Sequence, residues 1–247
     1  MVDHGRTNEQ RNSQNADSFP LNEQNIVDAQ VVLTLDHYRP HYSQQRSEAL
    51  MLETKHFSHL VHELREQGFR SFPEDTRIAF WKFAKPIYGH ILANAIDTSY
   101  AAVDCGVLLL SDASVQFQIG FDQRRRLSLV IRDSGEGIPH STLDRLLEGK
   151  SSSSRPRGGP NMFLGKEGQG LRLLLEHVES YGGELVIDTW RSPDFCTRFH
   201  SMKDQNHQVH RTLTRRENEQ SDSHRRGTAF VISVPLSALE RADGRAA

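Results

Sequence analysis

Cysteine is scarce. The 247 residues contain only Cys105 and Cys196, too few for a disulfide framework, which fits a reducing compartment. Long hydrophobic runs are missing as well. No stretch reaches the roughly 18 apolar residues of a membrane-spanning helix, and the first 25 residues hold no signal-peptide core. The chain therefore reads as cytoplasmic, with no membrane segment, and anything it senses outside the cell must reach it through a partner. A strong charge of either sign is absent too. The net charge of −2 gives no reason to expect nucleic acid or an anionic membrane as the main partner. What is present is a soluble composition, 36% hydrophobic with a mean hydropathy of −0.60. The polar surplus sits at the N-terminus and between about 191 and 226. The length allows one generous domain with appendages and a real core.

Residues 1–25 are rich in Asn, Gln, Asp and Ser and should form a disordered tail. Residues 26–72 read as a strand and a helix. Val27, Ala29, Val31, Leu33 and Leu35 alternate with mostly polar neighbours, the period of a half-buried strand. From about 44 to 68 the apolar positions Leu50, Phe57, Leu60, Val61 and Leu64 take helical spacing, as a packing element or a dimer contact. A helix is expected at roughly 75–99, then strands at 115–121 and 127–132 joined by a polar turn, then a short helix at 141–147. Residues 170–181 read as a helix stopped by Gly182-Gly183. Strands at 184–189 and 228–234 follow, separated by a polar insertion at 190–226 expected to be a solvated loop. The main domain spans 73–238 and a C-terminal tail 239–247. This order implies an α/β (α+β) two-layer sandwich, a mixed, largely antiparallel sheet with helices over one face.

Three groups of residues meet the demands of a nucleotide. An adenine amino group needs a fixed acceptor, and Asp133 at a strand end supplies a carboxylate. Gly135 and Gly137 beside it let the backbone approach the ring. Phosphates need backbone N–H groups at a helix N-terminus, which Gly168-Gln169-Gly170-Leu171 provides at the start of the 170–181 helix. A bridging metal ion needs a hard oxygen ligand, and Asn94 on a helix can serve. Each piece alone is common in turns and on helix surfaces. Their order along the chain, closing with Gly227-Thr228 before a last strand, is far more specific.

That order resembles the ATP-binding domain of the GHKL superfamily (gyrase, Hsp90-type chaperones, histidine kinases and mismatch-repair ATPases), which has the Bergerat-type fold. The resemblance covers roughly 75–236 and is nearest to the sensor histidine kinases. Residues 92–96 match the N box and 133–139 the first glycine box, with Ile138 inside it. Phe163 matches the phenylalanine box, 168–171 the second glycine box, and 227–230 the final G-T-x-F element. The resemblance implies that ATP and Mg²⁺ are bound, with Asn94 holding the metal ion and Asp133 accepting from adenine. Thr228 would support Asp133 from the neighbouring strand. Residues 151–159, with Ser151, Arg155, Arg157, Gly158 and Gly159, would form a lid over the phosphates, with Lys166 as a further cation.

The chain departs from the family pattern at three places. Hydrolytic members carry a glutamate four residues before the metal-binding Asn, where this chain has His90, a residue able to act as a base near neutral pH. Histidine kinases carry Lys or Arg three residues after it, where this chain has Asp97. His62-Glu63-Leu64-Arg65 begins like a phospho-acceptor motif, but the 32 positions from His62 to Asn94 leave no room for a second hairpin helix. Cys196, His200, His207 and His210 in the insertion have the chemistry of zinc ligands but match no zinc spacing. Gly165-Lys166 is no P-loop, because Glu167 stands where Ser or Thr is required.

The resemblance implies phosphotransfer from ATP to a histidine in a two-component-like signalling pathway. His62 is the candidate acceptor within the chain, and a response regulator or an acceptor-histidine protein the candidate partner, with a homodimer as the assembly. The alternatives are an ATP-dependent protein-interaction switch without phosphate transfer, and a serine kinase of the anti-sigma-factor type.

Overall fold

The computed structural model describes residues 25–35, 62, 66, 74–122, 126–150, 170–192, 195–204, 206, 208–217 and 226–244. The chain begins with strand β1 (Asn25–Thr34), followed by a long helix, α1 (Glu74–Asp104), and a single 3-10 turn (Leu110–Asp112). Strands β2 (Ser114–Asp122) and β3 (Arg126–Asp133) form a hairpin, and α2 (His140–Leu147) follows. Helix α3 (Gly170–Ser180) leads into β4 (Glu184–Ser192), β5 (Phe195–Lys203), β6 (Val209–Glu217) and β7 (Gly227–Pro235), and α4 (Leu236–Gly244) closes the described chain. Among the described residues the seven strands make one sheet in the order β1-β2-β3-β7-β4-β5-β6. Every pairing is antiparallel, so the mixed character expected from the sequence is absent from the described strands.

One face of the sheet carries the core. Val115, Phe117 and Ile119 of β2, Leu127, Leu129 and Ile131 of β3, and Phe230, Ile232 and Val234 of β7 are all buried there. Their spacing of two is the pleat of a strand read on one side. Helix α1 covers this face with Phe80, Phe83, Ile87, Ile91 and Ala95, a stripe recurring every three or four residues. Its first turn begins with Glu74 and Asp75, charges suited to the positive end of a helix dipole. In the register, Ala29, Val31 and Leu33 of β1 pair with Ile119, Phe117 and Val115, as the sequence alternation implies.

Helices α2 and α3 stop in the same way. Gly182, at φ 65°, donates to the Glu179 carbonyl at 3.0 Å, and Gly183 donates to the Val178 carbonyl at 3.0 Å. That is a Schellman cap, which satisfies the last carbonyls of α3 and turns the chain into β4. Gly149 and Lys150 close α2 through the carbonyls of Leu146 and Arg145.

Two expectations are corrected here. Much of the 190–226 insertion is not a solvated loop: β5 and β6 occupy 195–203 and 209–217 and extend the sheet by two strands. The described part of the 239–247 tail is helical as far as Gly244, with Leu239 buried and Thr76 of α1 donating to Glu240 at 3.2 Å. The helix expected at 44–68 lies outside the described residues except His62 and Glu66, which are helical and exposed. The 1–24 tail lies outside them too.

A Cβ on Gly183 would sit 2.8 Å from methyl groups of both Val178 and Val234. Gly183→Ala should therefore lower unfolding free energy by about 1–3 kcal/mol through overpacking, read as a fall in the urea midpoint with an unchanged m-value.

Candidate functional site

The site lies where β3, β7 and β4 meet the flank of α1. Asp133, the last residue of β3, is only 4% exposed. Its Oδ1 accepts the Gly135 N–H at 2.8 Å and the Thr228 N–H at 3.3 Å, neither bond reaching Oδ2. Thr228 lies on β7, one step past the register pair of Arg132 with Ala229, so strand pairing delivers the second donor. Burial lifts the Asp133 carboxyl from 3.8 to about 7. The bonds from Gly135 and Thr228 and the nearby charge of Arg132 pull the other way but do not cancel it. A carboxylate kept dry at a strand end, held by the backbone N–H groups of Gly135 and Thr228 and by the Thr228 side chain, is an acceptor suited to a ligand N–H.

The turn after Asp133 is pinned on three sides. Ser134 Oγ accepts from the Ser114 N–H at 2.8 Å, tying the turn to the start of β2. Gly135 abuts α1, since a Cβ there would lie 2.6 Å from Thr98 Oγ1 and 2.8 Å from the Thr98 carbonyl carbon. The Ile138 N–H donates to Thr189 Oγ1 on β4 at 2.6 Å, and Thr189 also donates toward the Gly227 carbonyl at 3.4 Å. Gly137 lies against the same Thr189 hydroxyl. Gly227 has φ 96°, and a Cβ there would run into the carbonyl oxygen of Asp133, so only glycine fits.

Helix α1 brings Asn94 and Thr98 to this wall. They are one turn apart, with Thr98 Oγ1 donating to the Asn94 carbonyl at 2.9 Å. Asn94 is exposed, and its Nδ2 lies 3.5 Å from where a Cβ on Gly170 would stand. The first residue of α3 is thus brought beside the expected metal ligand. Leu171, next on α3, packs against the core, as does Ile138.

Of the residues expected from the sequence, Asn94, Asp133, Gly135, Gly137, Ile138, Gly170, Leu171 and Thr228 gather on this one wall. Ser151, Arg155, Arg157, Gly158, Gly159, Phe163, Lys166 and Gly168 lie outside the described residues, as do the side chains of His90 and Asp97. Thr98, Thr189 and Ser134 were not singled out from the sequence. Helical spacing from Asn94 could have found Thr98, whereas Thr189 is brought in only by the pairing of β4 with β7.

The residues weighed as zinc ligands take separate partners on the far face of the sheet. Cys196 is buried with its Sγ 3.8 Å from Asp188 Oδ1, His200 Nε2 is 2.9 Å from Glu184, and His210 Nε2 is 3.0 Å from Asp204. Burial and the adjacent Asp188 push the Cys196 thiol up. His207 lies outside the described residues. No group of three or more metal-binding side chains exists among the described residues.

The antiparallel sheet under one layer of helices, with a buried acceptor and glycine turns at one end, defines a nucleotide-binding domain of the GHKL type. The chain belongs to the family described as histidine kinase-, DNA gyrase B- and HSP90-like ATPase, whose sequence model matches residues 82–238. It therefore carries an ATP-binding domain of that family. No curated protein matches it. Among solved structures, the N-terminal domain of a DNA repair protein is similar at 18% identity and a TM-score of 0.29. That match covers 48% of this chain and 29% of the other.

A carboxyl raised to about 7 makes the stability of the fold pH-dependent. Below pH 4 both folded and unfolded chains hold the Asp133 proton, so its contribution is fully present. Between 4 and 7 the unfolded chain releases that proton and the folded chain does not, so stability falls as pH rises. Asp133→Asn keeps the Oδ1 acceptor and removes the buried charge. It should gain stability over wild type on going from pH 4 to pH 8, by about 4 kcal/mol at ~1.4 kcal/mol per pKa unit. Equilibrium unfolding at the two pH values measures this, and parallel pH profiles for the two proteins would contradict it.

Proposed function

We propose that the chain is an ATP-dependent phosphotransferase of the histidine-kinase kind, acting in a two-component-like signalling pathway. The observation that carries the nucleotide half of this reading is the Asp133 carboxylate, buried and held in place by Gly135 and Thr228. In this role Asp133 accepts from the adenine amino group. Gly135, Gly137 and Gly227 keep the backbone low enough for the ring to approach. Asn94 offers its amide oxygen to Mg²⁺, and the N–H groups at the start of α3 face the phosphates. The bound nucleotide supplies the transferable phosphoryl group.

Two features of the chain support transfer to a histidine over hydrolysis. The position one helical turn before Asn94 is His90, which lacks the carboxylate that hydrolytic members use to activate water. Helix α3 closes on Gly182-Gly183, as in the histidine kinases. His62, helical and exposed, is the acceptor candidate within the chain. A partner protein bearing the acceptor histidine, a response regulator, and a homodimer are the associations this reading calls for. No helix among the described residues is long and apolar enough to cross a membrane.

A second reading is favoured by Asp97, an acid where the kinases have a base. It would repel a phosphate, which suits a module that binds nucleotide and switches a protein contact without transfer.

Nucleotide binding tests the pocket common to both readings, and labelling separates them. ATP with Mg²⁺ should raise the melting temperature of the wild type by several degrees and leave Asp133→Asn unmoved, because an amide NH₂ at Oδ2 would face the adenine donor. Binding should also weaken as pH falls below about 7, where the Asp133 carboxyl takes up its proton. With γ-labelled ATP, acid-labile label lost in His62→Gln supports transfer within the chain. Acid-stable label on a partner serine points to an anti-sigma-factor-type kinase, and nucleotide binding without any label supports the switch.

A further inference from the structure

The β5–β6 hairpin does more than widen the sheet. Arg211 of β6 points onto the helix layer and grips Glu179 near the end of α3. Its Nε lies 2.9 Å from Oε1 and its Nη2 2.8 Å from Oε2. Ser201 of β5 donates to the same Oε1 at 2.7 Å. The pair is largely enclosed, with side-chain exposures of 25% for Arg211 and 12% for Glu179. The same guanidinium reaches the end of α2, where Nη1 would lie 3.7 Å from a Cβ on Gly149.

The other contacts of α3 are of two kinds. Leu174, Leu175 and Val178 enter the core, and such apolar contacts hold a helix down without fixing its position along its axis. His177 reaches the other way, its Nε2 3.0 Å from the Phe83 carbonyl of α1. Directional bonds therefore pin the C-terminal end of α3 from both sides, and a two-point Arg–carboxylate fork tolerates little sliding or rotation. Gly170 stands at the other end of this 11-residue helix, next to Asn94. A helix is stiff along its axis, so a shift at Glu179 is carried to Gly170, about 13 Å away at 1.5 Å per residue.

We propose that Arg211 is a positioning residue of the nucleotide site: through Glu179 it holds α3 so that the N–H groups at Gly170 stay aligned with Asn94 for the phosphates. This rests on the reading that the phosphates of ATP lie at the start of α3. The inserted hairpin is then part of the nucleotide site's support, acting on the phosphate half and not on the adenine half, which is built by β3, β7 and β4.

The two halves can be read separately. Adenosine engages only the Asp133 wall, and ATP engages both. The dissociation constants of each are measured by titration well below the melting transition, for wild type, Arg211→Ala, Arg211→Lys and the exchanged pair Arg211→Glu with Glu179→Arg. In Arg211→Ala the ATP constant should rise about tenfold, equivalent to ~1.4 kcal/mol, with adenosine unchanged. Lys keeps the charge without the fork, so Arg211→Lys should lose part of that affinity, and the exchanged pair should regain part of what Arg211→Ala loses. A merely stabilising ion pair would lower the melting temperature and leave both constants alone, which overturns the proposal. Equal losses for ATP and adenosine overturn it as well, as does wild-type ATP affinity in both single variants. If the wild type binds neither ligand, the nucleotide reading itself falls, and the proposal with it.

Discussion

A carboxylate is kept dry at the end of a central strand, and most of the local architecture answers to that constraint. Asp133 at 4% exposure needs donors that water cannot provide. Gly135 and Thr228 supply them, and each imposes a condition on the chain. The first requires a turn folded back on its own aspartate, close enough to α1 that a side chain at Gly135 would strike Thr98. The second requires β7 to pair with β3 to the very end of the strand, with Gly227 at a positive φ beneath the Asp133 carbonyl. Even so, the donors do not fully offset the lost hydration, and the carboxyl stays raised to about 7. A fold gains nothing in stability from such a group.

Around this point the structure divides by face. The helix side of the sheet is apolar and continuous, and the glycine turns and Asn94 border it at one end. The opposite side is held by charge and polarity. Asp188, fully buried, takes two bonds of 2.6 Å from Arg198, and the Arg132 guanidinium lies 5.9 Å from the ring of Trp190. Trp190, Cys196 and Ala229 make a second, small cluster there. Only Asp188 is buried, and the two-point fork from the more exposed Arg198 ties β4 to β5 at the register pair of these two residues. Register matters here, because a slip of one residue between β4 and β7 would carry Thr189 to the wrong face and free the Ile138 end of the turn.

On the proposed reading, adenine and phosphates are held by different parts of the molecule. The adenine half depends on backbone and on three adjacent strands, elements that share a core. The phosphate half depends on how one short helix is set against α1 and against the β5–β6 hairpin, through His177 and Glu179. Asp97 adds an acid on α1 close in sequence to Asn94, so the cations that meet the phosphates must come from other positions. Family membership accounts for the nucleotide, and the proposed phosphate transfer rests on the residues in which this chain departs from the family pattern.

Local chemistry made much of this legible without a structure. Glycines with a carboxylate at a strand end, an Asn on a helix, and a glycine pair ending another are patterns of adjacent residues, and each implies its conformation directly. The sequence by itself therefore determined the helices α1 to α3, the β2–β3 hairpin and the place of Asp133 at a strand end beside its glycines. The tertiary structure alone decided what depends on register and distant pairing. Thr189 joins the site from 51 positions beyond Ile138, and only strand pairing brings it there. The β5–β6 hairpin was hidden because its outer face carries Arg198, His200 and Arg216, and its inner face carries the half-buried Arg211 and the exposed Arg215. An edge strand that buries arginine stems in place of apolar side chains has no hydrophobic alternation to read, so its place in the sheet appears only when its partners are in position.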